Sequence, residues 1–189
     1  MLGIDFKNRF KASLPEMPSG IDIGEFIDFS SYQLEALDIV DAGLLADAGF
    51  PRDASPFLSF SAYSENEIKD MSSIGVLPQG SIPIGLNGSG DIIAIEAQTN
   101  NVVYYNHDAE NQGVFINSTL IAFAECLCVY QEHLNGNNMG SCLSAIGKVD
   151  QESVVKGGMW FDEVNNELEN GQQNNQNDAW RRILLGRYL

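Results

Sequence analysis

The chain has 189 residues, 44% of them hydrophobic, enough to bury a sizeable core and too apolar for a disordered chain. Its 26 acidic residues outnumber its 10 basic ones, for a net charge of −16. That excess disfavours nucleic acid and anionic membrane, which repel negative charge, and favours cationic partners.

Residues 1–29 are mixed in character, and Pro15 and Pro18 break any long helix there. The start, MLGIDFKNRF, is too charged and too weakly apolar for a signal peptide. No apolar run reaches the roughly 18 residues that span a membrane, so a cytosolic protein is expected. Ser31 to Ala48 reads as one helix, with Leu34, Leu37, Leu44, Leu45 and Ala48 on one side and Glu35, Asp38 and Asp47 on the rest. Gly49 ends it and Pro51 prevents its resumption.

Short strands are expected at Phe57–Phe60, Ile74–Leu77 and Ile82–Leu86. Asn87-Gly88-Ser89-Gly90 is a tight turn. Asp91–Glu96 and Val102–Asn106 form a hairpin across Gln98-Thr99-Asn100-Asn101, and Gly113–Ile116 is the last strand. Asn117 to Leu134 is the strongest helix, with Leu120, Phe123, Leu127, Tyr130 and Leu134 as its core stripe. Asn117 is expected to cap it, with Ile116 and Ile121 as a hydrophobic staple, and Gly136 closes it. Asn135–Gly140 is a link. Gln151–Leu168 reads as a helix with Trp160, Phe161, Val164 and Leu168 on one side. Gly171–Asn177 is a polar loop, and Ala179–Leu189 a terminal helix carrying Arg181, Arg182 and Arg187. The divisions are therefore an N-terminal segment (1–30), a domain (31–169), and a polar loop with a C-terminal helix (170–189) packed on that domain.

No residue set selects a catalytic or metal site. Gly88-Ser89-Gly90 fits no phosphate-binding fingerprint, and no Lys follows it. His107-Asp108 reads as a hydrogen-bonded turn; His133 is the other histidine, too few for a histidine-rich metal site. No Gly-x-Ser-x-Gly elbow occurs. Cys126, Cys128 and Cys142 form no disulfide framework and read as reduced, buried thiols. No cofactor is expected. Residues 61–140 hold Glu65, Glu67, Asp70, Asp91, Glu96, Asp108, Glu110, Glu125 and Glu132 against Lys69 alone. That block is either an ordinary solvated surface or a field that attracts a basic partner. The candidate contacts are the acids near turns, Glu65, Glu67, Asp70, Asp108 and Glu110, because turns expose residues on a fixed scaffold.

The order of several motifs resembles the SUKH superfamily, in particular its SUKH-4-like branch. The carriers are Gly88-Ser89-Gly90-Asp91-Ile92-Ile93, Val103-Tyr104-Tyr105-Asn106-His107-Asp108 and Phe115-Ile116-Asn117-Ser118-Thr119-Leu120 with Phe123-Ala124 and Leu127. Upstream, Leu45-Ala46-Asp47-Ala48-Gly49-Phe50-Pro51 resembles that branch's early helix exit, and Val149-Asp150 and Trp160 resemble its C-terminal helix region. The match covers residues 40–168; residues 1–30, the 170–177 stretch and the basic tail are unmatched. The resemblance implies an α+β fold, an antiparallel β-sheet packed with α-helices in a single domain. It further implies a non-enzymatic immunity protein that binds and neutralises a polymorphic toxin, such as a nuclease or nucleic-acid deaminase. Two other functions remain open: a regulatory or scaffolding interaction domain, and a small hydrolytic enzyme centred on Asp91, Glu96, His107 and Asp108.

Overall fold

The computed structural model describes residues 3–16 and 24–171. The polar stretch after Gly171 and the helix expected over Ala179–Leu189 lie outside them. Helix α1, Gly3–Ala12, places Phe6 and Phe10 one turn apart and fully in the core. Arg9 on its other side makes a bidentate pair with Glu132 (2.6 and 2.8 Å) and also contacts Glu125, tying α1 to a later helix. The mixed N-terminal reading gave no sign of this helix.

Strand β1 (Phe26–Ile27) precedes two helices where one was expected, α2 (Ser31–Glu35) and α3 (Ile39–Asp47). Asp38 causes the break: its carboxylate accepts from the Val40 and Asp41 N–H groups (2.8 and 2.9 Å) and so starts a new helix. Gly49 follows with φ +67°, where a Cβ would lie 2.0 Å from the Ile27 carbonyl oxygen. Only glycine fits there, and it turns the chain into β2 (Phe50–Pro51), which pairs with β1.

Strands β3 (Asp53–Ala54) and β4 (Leu58–Phe60) open a six-stranded antiparallel sheet. Helix α4, Glu65–Ser73, comes next, capped by a reciprocal Ser64–Glu67 box. The strand expected at Ile74–Leu77 is absent: Ile74 is the exposed end of α4, and Leu77 packs under it. Strands β5 (Ile82–Leu86), β6 (Ile92–Ile95), β7 (Val102–Asn106) and β8 (Gln112–Asn117) then follow in spatial order. Their connections are short and rich in turn residues, so each strand reverses onto its neighbour.

Alternation along these strands builds a core on each face. Ile84, Ile93, Ile95, Val102 and Ile116 join the main cluster, whereas Ala94, Val103 and Tyr105 meet Ile68 of α4. The main face is covered by α5 (Leu120–Asn135), α6 (Cys142–Val149) and α7 (Met159–Gly171) together with α1 and α3. The result is one α+β domain. No helix of the described residues is long and apolar enough to cross a membrane.

Two helix expectations need correction. Gln151–Leu168 is a short 3-10 turn at Gln151–Val154, an interruption, and then α7, whose Leu168 is exposed rather than buried. Asn117 does not cap α5; Thr119 does, accepting from the Ala122 N–H at 3.0 Å. That also moves the cap away from the Ile116–Ile121 staple. Asn117 is instead fully buried at the end of β8. Its amide donates to Asp150 Oδ2 (3.0 Å), and its Oδ1 accepts from the Trp160 indole N–H (2.9 Å). Asp150 Oδ2 also accepts from the Ser118 N–H (2.8 Å) and hydroxyl (3.0 Å). Asn117 and Ser118 are capping types diverted to partners more than 30 residues away.

Removing a buried partner strands its mates, at roughly 1–3 kcal/mol for each polar group left unpaired. Asn117→Ala should therefore cost about 3 kcal/mol, and Thr119→Ala only about 1 kcal/mol. Urea unfolding of the two variants checks the order. Equal losses would return Asn117 to a capping role.

Candidate functional site

Trp160, locked to Asn117 and packed on Phe123 and Tyr130, fixes the first turn of α7. That turn carries Asp162, and Glu163 follows it directly. Opposite stand the β5–β6 turn, the end of β7 and the Pro56–Leu58 segment, and between them lies a cleft of about 390 Å³. Phe57, Asn87, Gly88, Ser89, Tyr104 and Met159 line it together with four acids, Asp91, Asp108, Asp162 and Glu163.

The β5–β6 turn is built by Asn87, whose side-chain oxygen accepts from the Ser89 and Asp91 N–H groups, each at 2.9 Å. Its amide donates to Asp91 Oδ2 at 2.9 Å. The other oxygen of Asp91 accepts from the His107 backbone N–H (3.0 Å) and lies 2.6 Å from His107 Nδ1. Burial alone would raise the Asp91 carboxyl, but these hydrogen bonds outweigh it and hold it below the usual range. The bond to Asp91, then the charge of Asp108, raise His107 in turn. His107 Nε2 lies 3.4 Å from Asp108, so the ring is bracketed by two carboxylates. The hydrogen-bonded turn expected at His107-Asp108 is present, but its anchor is Asp91, 16 residues back.

The five expected contact residues are all exposed, and they fall into two groups. Glu65 and Glu67 sit in the first turn of α4, where Glu65 pairs with Lys69 (2.6 Å) and Glu67 closes the capping box. Asp108 and Glu110 lie on the turn after β7, which meets the other end of α4 through the Asn111 amide and the Gly75 carbonyl (3.3 Å). Asp70 lies towards that end of α4. The 107–111 turn thus stands between α4 and the cleft, and Asp108 belongs to the cleft lining.

The sequence reading missed Asp162 and Glu163. Their place on a helix was legible, but not the side of the sheet that the helix would meet. Burial pushes the Glu163 carboxyl up to about 7, with the charges of Glu167 and Asp162 adding to the effect. Burial also raises Tyr104, helped by Asp91 and Asp162. Cys126, Cys128 and Cys142 are free and buried, and burial pushes each thiol up to about 12, away from reactivity at neutral pH. Among the described residues no group of three or more His, Cys, Asp or Glu is close enough to hold a metal ion. No protein-family model, curated protein or solved structure matches the chain.

Glu163 links the cleft to pH. Between about 4.5, its ordinary value, and about 7 the unfolded chain releases this proton while the folded chain retains it. Its contribution to stability therefore falls as pH rises through that window. Glu163→Gln should leave the melting temperature nearly unchanged at pH 4.5 and raise it at pH 8. A variant melting at or below the parent at pH 8 would remove Glu163 from this role.

Proposed function

We propose that the chain is a non-enzymatic immunity protein of the SUKH kind, which acts in the bacterial cytosol by binding and neutralising a basic protein toxin of the nuclease or nucleic-acid deaminase type. The observation that carries this reading is the gathering of Asp91, Asp108, Asp162 and Glu163 around one cleft, with Glu110 on the same turn as Asp108, on a chain of net charge −16. Proteins that act on nucleic acid are commonly basic around their active sites, and an acidic partner is steered to them. The order of the SUKH-like segments along the chain supports the same reading.

The paired Asp91 and His107 favour a second reading, a small hydrolase. Two geometric facts weigh against it. The second ring nitrogen of His107 faces another carboxylate instead of a hydroxyl nucleophile. Glu96, the remaining acid of that set, accepts from the Thr99 hydroxyl at 2.6 Å within the β6–β7 turn.

The test is a pull-down against the products of neighbouring genes, and stopped-flow association with any toxin domain so captured. Asp108→Lys with Glu110→Lys should slow association roughly tenfold and flatten its salt dependence, because rim charges act chiefly on the rate of encounter. An association rate unchanged from 50 to 500 mM salt, over which the Debye length falls about threefold, would contradict the electrostatic reading.

A further inference from the structure

We propose that the cleft walled by Phe57, Tyr104 and Met159 and rimmed by Asp108, Asp162 and Glu163 receives an arginine side chain of the protein partner. The inference deepens the binding role proposed above and rests on that reading. Four features of the cleft select this occupant.

The first is uncompensated charge. Among the described residues no lysine or arginine lines the cleft. Several cations of the described residues are engaged elsewhere: Arg9 with Glu125 and Glu132, Arg52 with Glu25, and Lys69 with Glu65. Asp91 has both oxygens occupied by Asn87 and His107, so it braces the floor and leaves recognition to the rim carboxylates.

The second is the aromatic wall. Phe57 is 48% exposed although its ring is large and apolar. It is held at φ +53°, a backbone region that bulky residues rarely adopt. Gly88 lies against it, and a Cβ at that position would approach the Phe57 Cβ to 2.9 Å. The Gly88 backbone therefore packs closely on Phe57, and both line the cleft together with Tyr104. Aromatic faces attract cations most strongly where water is displaced.

The third is size. A cavity of about 390 Å³ is within the range of specific ligand sites and holds a long side chain with its flanking backbone. The fourth is the spacing of the acids. They are too dispersed to enclose a metal ion, since no such cluster exists among the described residues, so the matching cation is an extended one. Guanidinium fits better than ammonium. Its plane stacks on a ring while its N–H groups reach carboxylates on separate sides, and its charge is weakly hydrated.

The probe is acetyl-Gly-Arg-Gly-amide, titrated into the full-length 15N-labelled protein and followed by two-dimensional NMR. Saturable shifts are expected at Phe57, Ser89, Tyr104, Asp108 and Asp162. The isosteric citrulline peptide should give none, and the lysine peptide should bind several-fold more weakly. Asp162→Asn with Glu163→Gln should weaken the arginine peptide about tenfold, and Phe57→Leu should weaken it without removing any charge. Retained spectral dispersion shows that each variant is folded. Equal binding of the citrulline peptide, or shifts spread evenly over the α4 acids, would overturn the assignment. So would shifts that appear only once Arg181, Arg182 and Arg187 are replaced by Gln, because the chain itself would then supply the occupant. Peptide binding in the cleft with no toxin bound would remove the immunity reading and keep the pocket. Toxin binding unchanged by the Asp162/Glu163 double variant would do the reverse.

Discussion

Asn117, with Ser118 beside it, joins four elements through buried hydrogen bonds. It ends β8, neighbours the start of α5, bonds Asp150 at the end of α6 and bonds Trp160 in the first turn of α7. Its amide side chain presents a donor to the carboxylate and an acceptor to the indole at once. An aspartate there would face Asp150 with like charge, and a leucine would leave both partners unpaired in a medium where unpaired polar groups are costly. A fully satisfied buried network of this kind fixes geometry more narrowly than apolar packing does. Here it fixes α7, and through α7 the position of Asp162 and Glu163 opposite the β5–β6 turn.

The charge distribution follows from that frame. Arg9 closes α1 onto α5, Arg52 meets Glu25, and Lys69 stays within α4. These cations neutralise acids away from the cleft. At the cleft, Asp91 is stabilised by hydrogen bonds and by the neighbouring imidazole, while the rim carboxylates repel one another. The Glu163 carboxyl is raised chiefly by burial, then by the charges of Glu167 and Asp162. Such an arrangement lowers stability at neutral pH, and a cationic partner would reverse the penalty on binding. Natural proteins commonly carry locally unfavourable groups at functional surfaces and offset them elsewhere in the fold.

Local chemistry was legible in the sequence where it was decisive locally. The Asn87–Gly90 and Gln98–Asn101 turns, the strands beside them and the core stripe of α5 follow from glycine, asparagine and period alone. What the sequence hid depended on competition or distance. Asp38 was read as decoration within a helix because an aspartate that caps and one that faces solvent look alike. Asn117, Ser118 and Thr119 are all capping types, and which of them caps was decided by Asp150 and Trp160. Ile74–Leu77 looked like a strand because its apolar residues are β-branched or large, yet Ile74 ends a helix and is exposed. Helices α1 and α6 are short and gain their stability from packing. The acidic turn at Asp108–Glu110 could be read as a candidate from its exposure and charge. Its partners across the cleft, Asp162 and Glu163, could not, because nothing local says which edge of the sheet α7 will meet.

Hydrogen exchange of the Trp160 indole N–H tests the frame most directly, because that proton is donated to Asn117 inside the network. Exchange as slow as that of the most protected α5 amides is expected, since the bond opens only when α7 leaves the sheet. Exchange on the timescale of a free indole would contradict the buried network and, with it, the placement of the acidic rim.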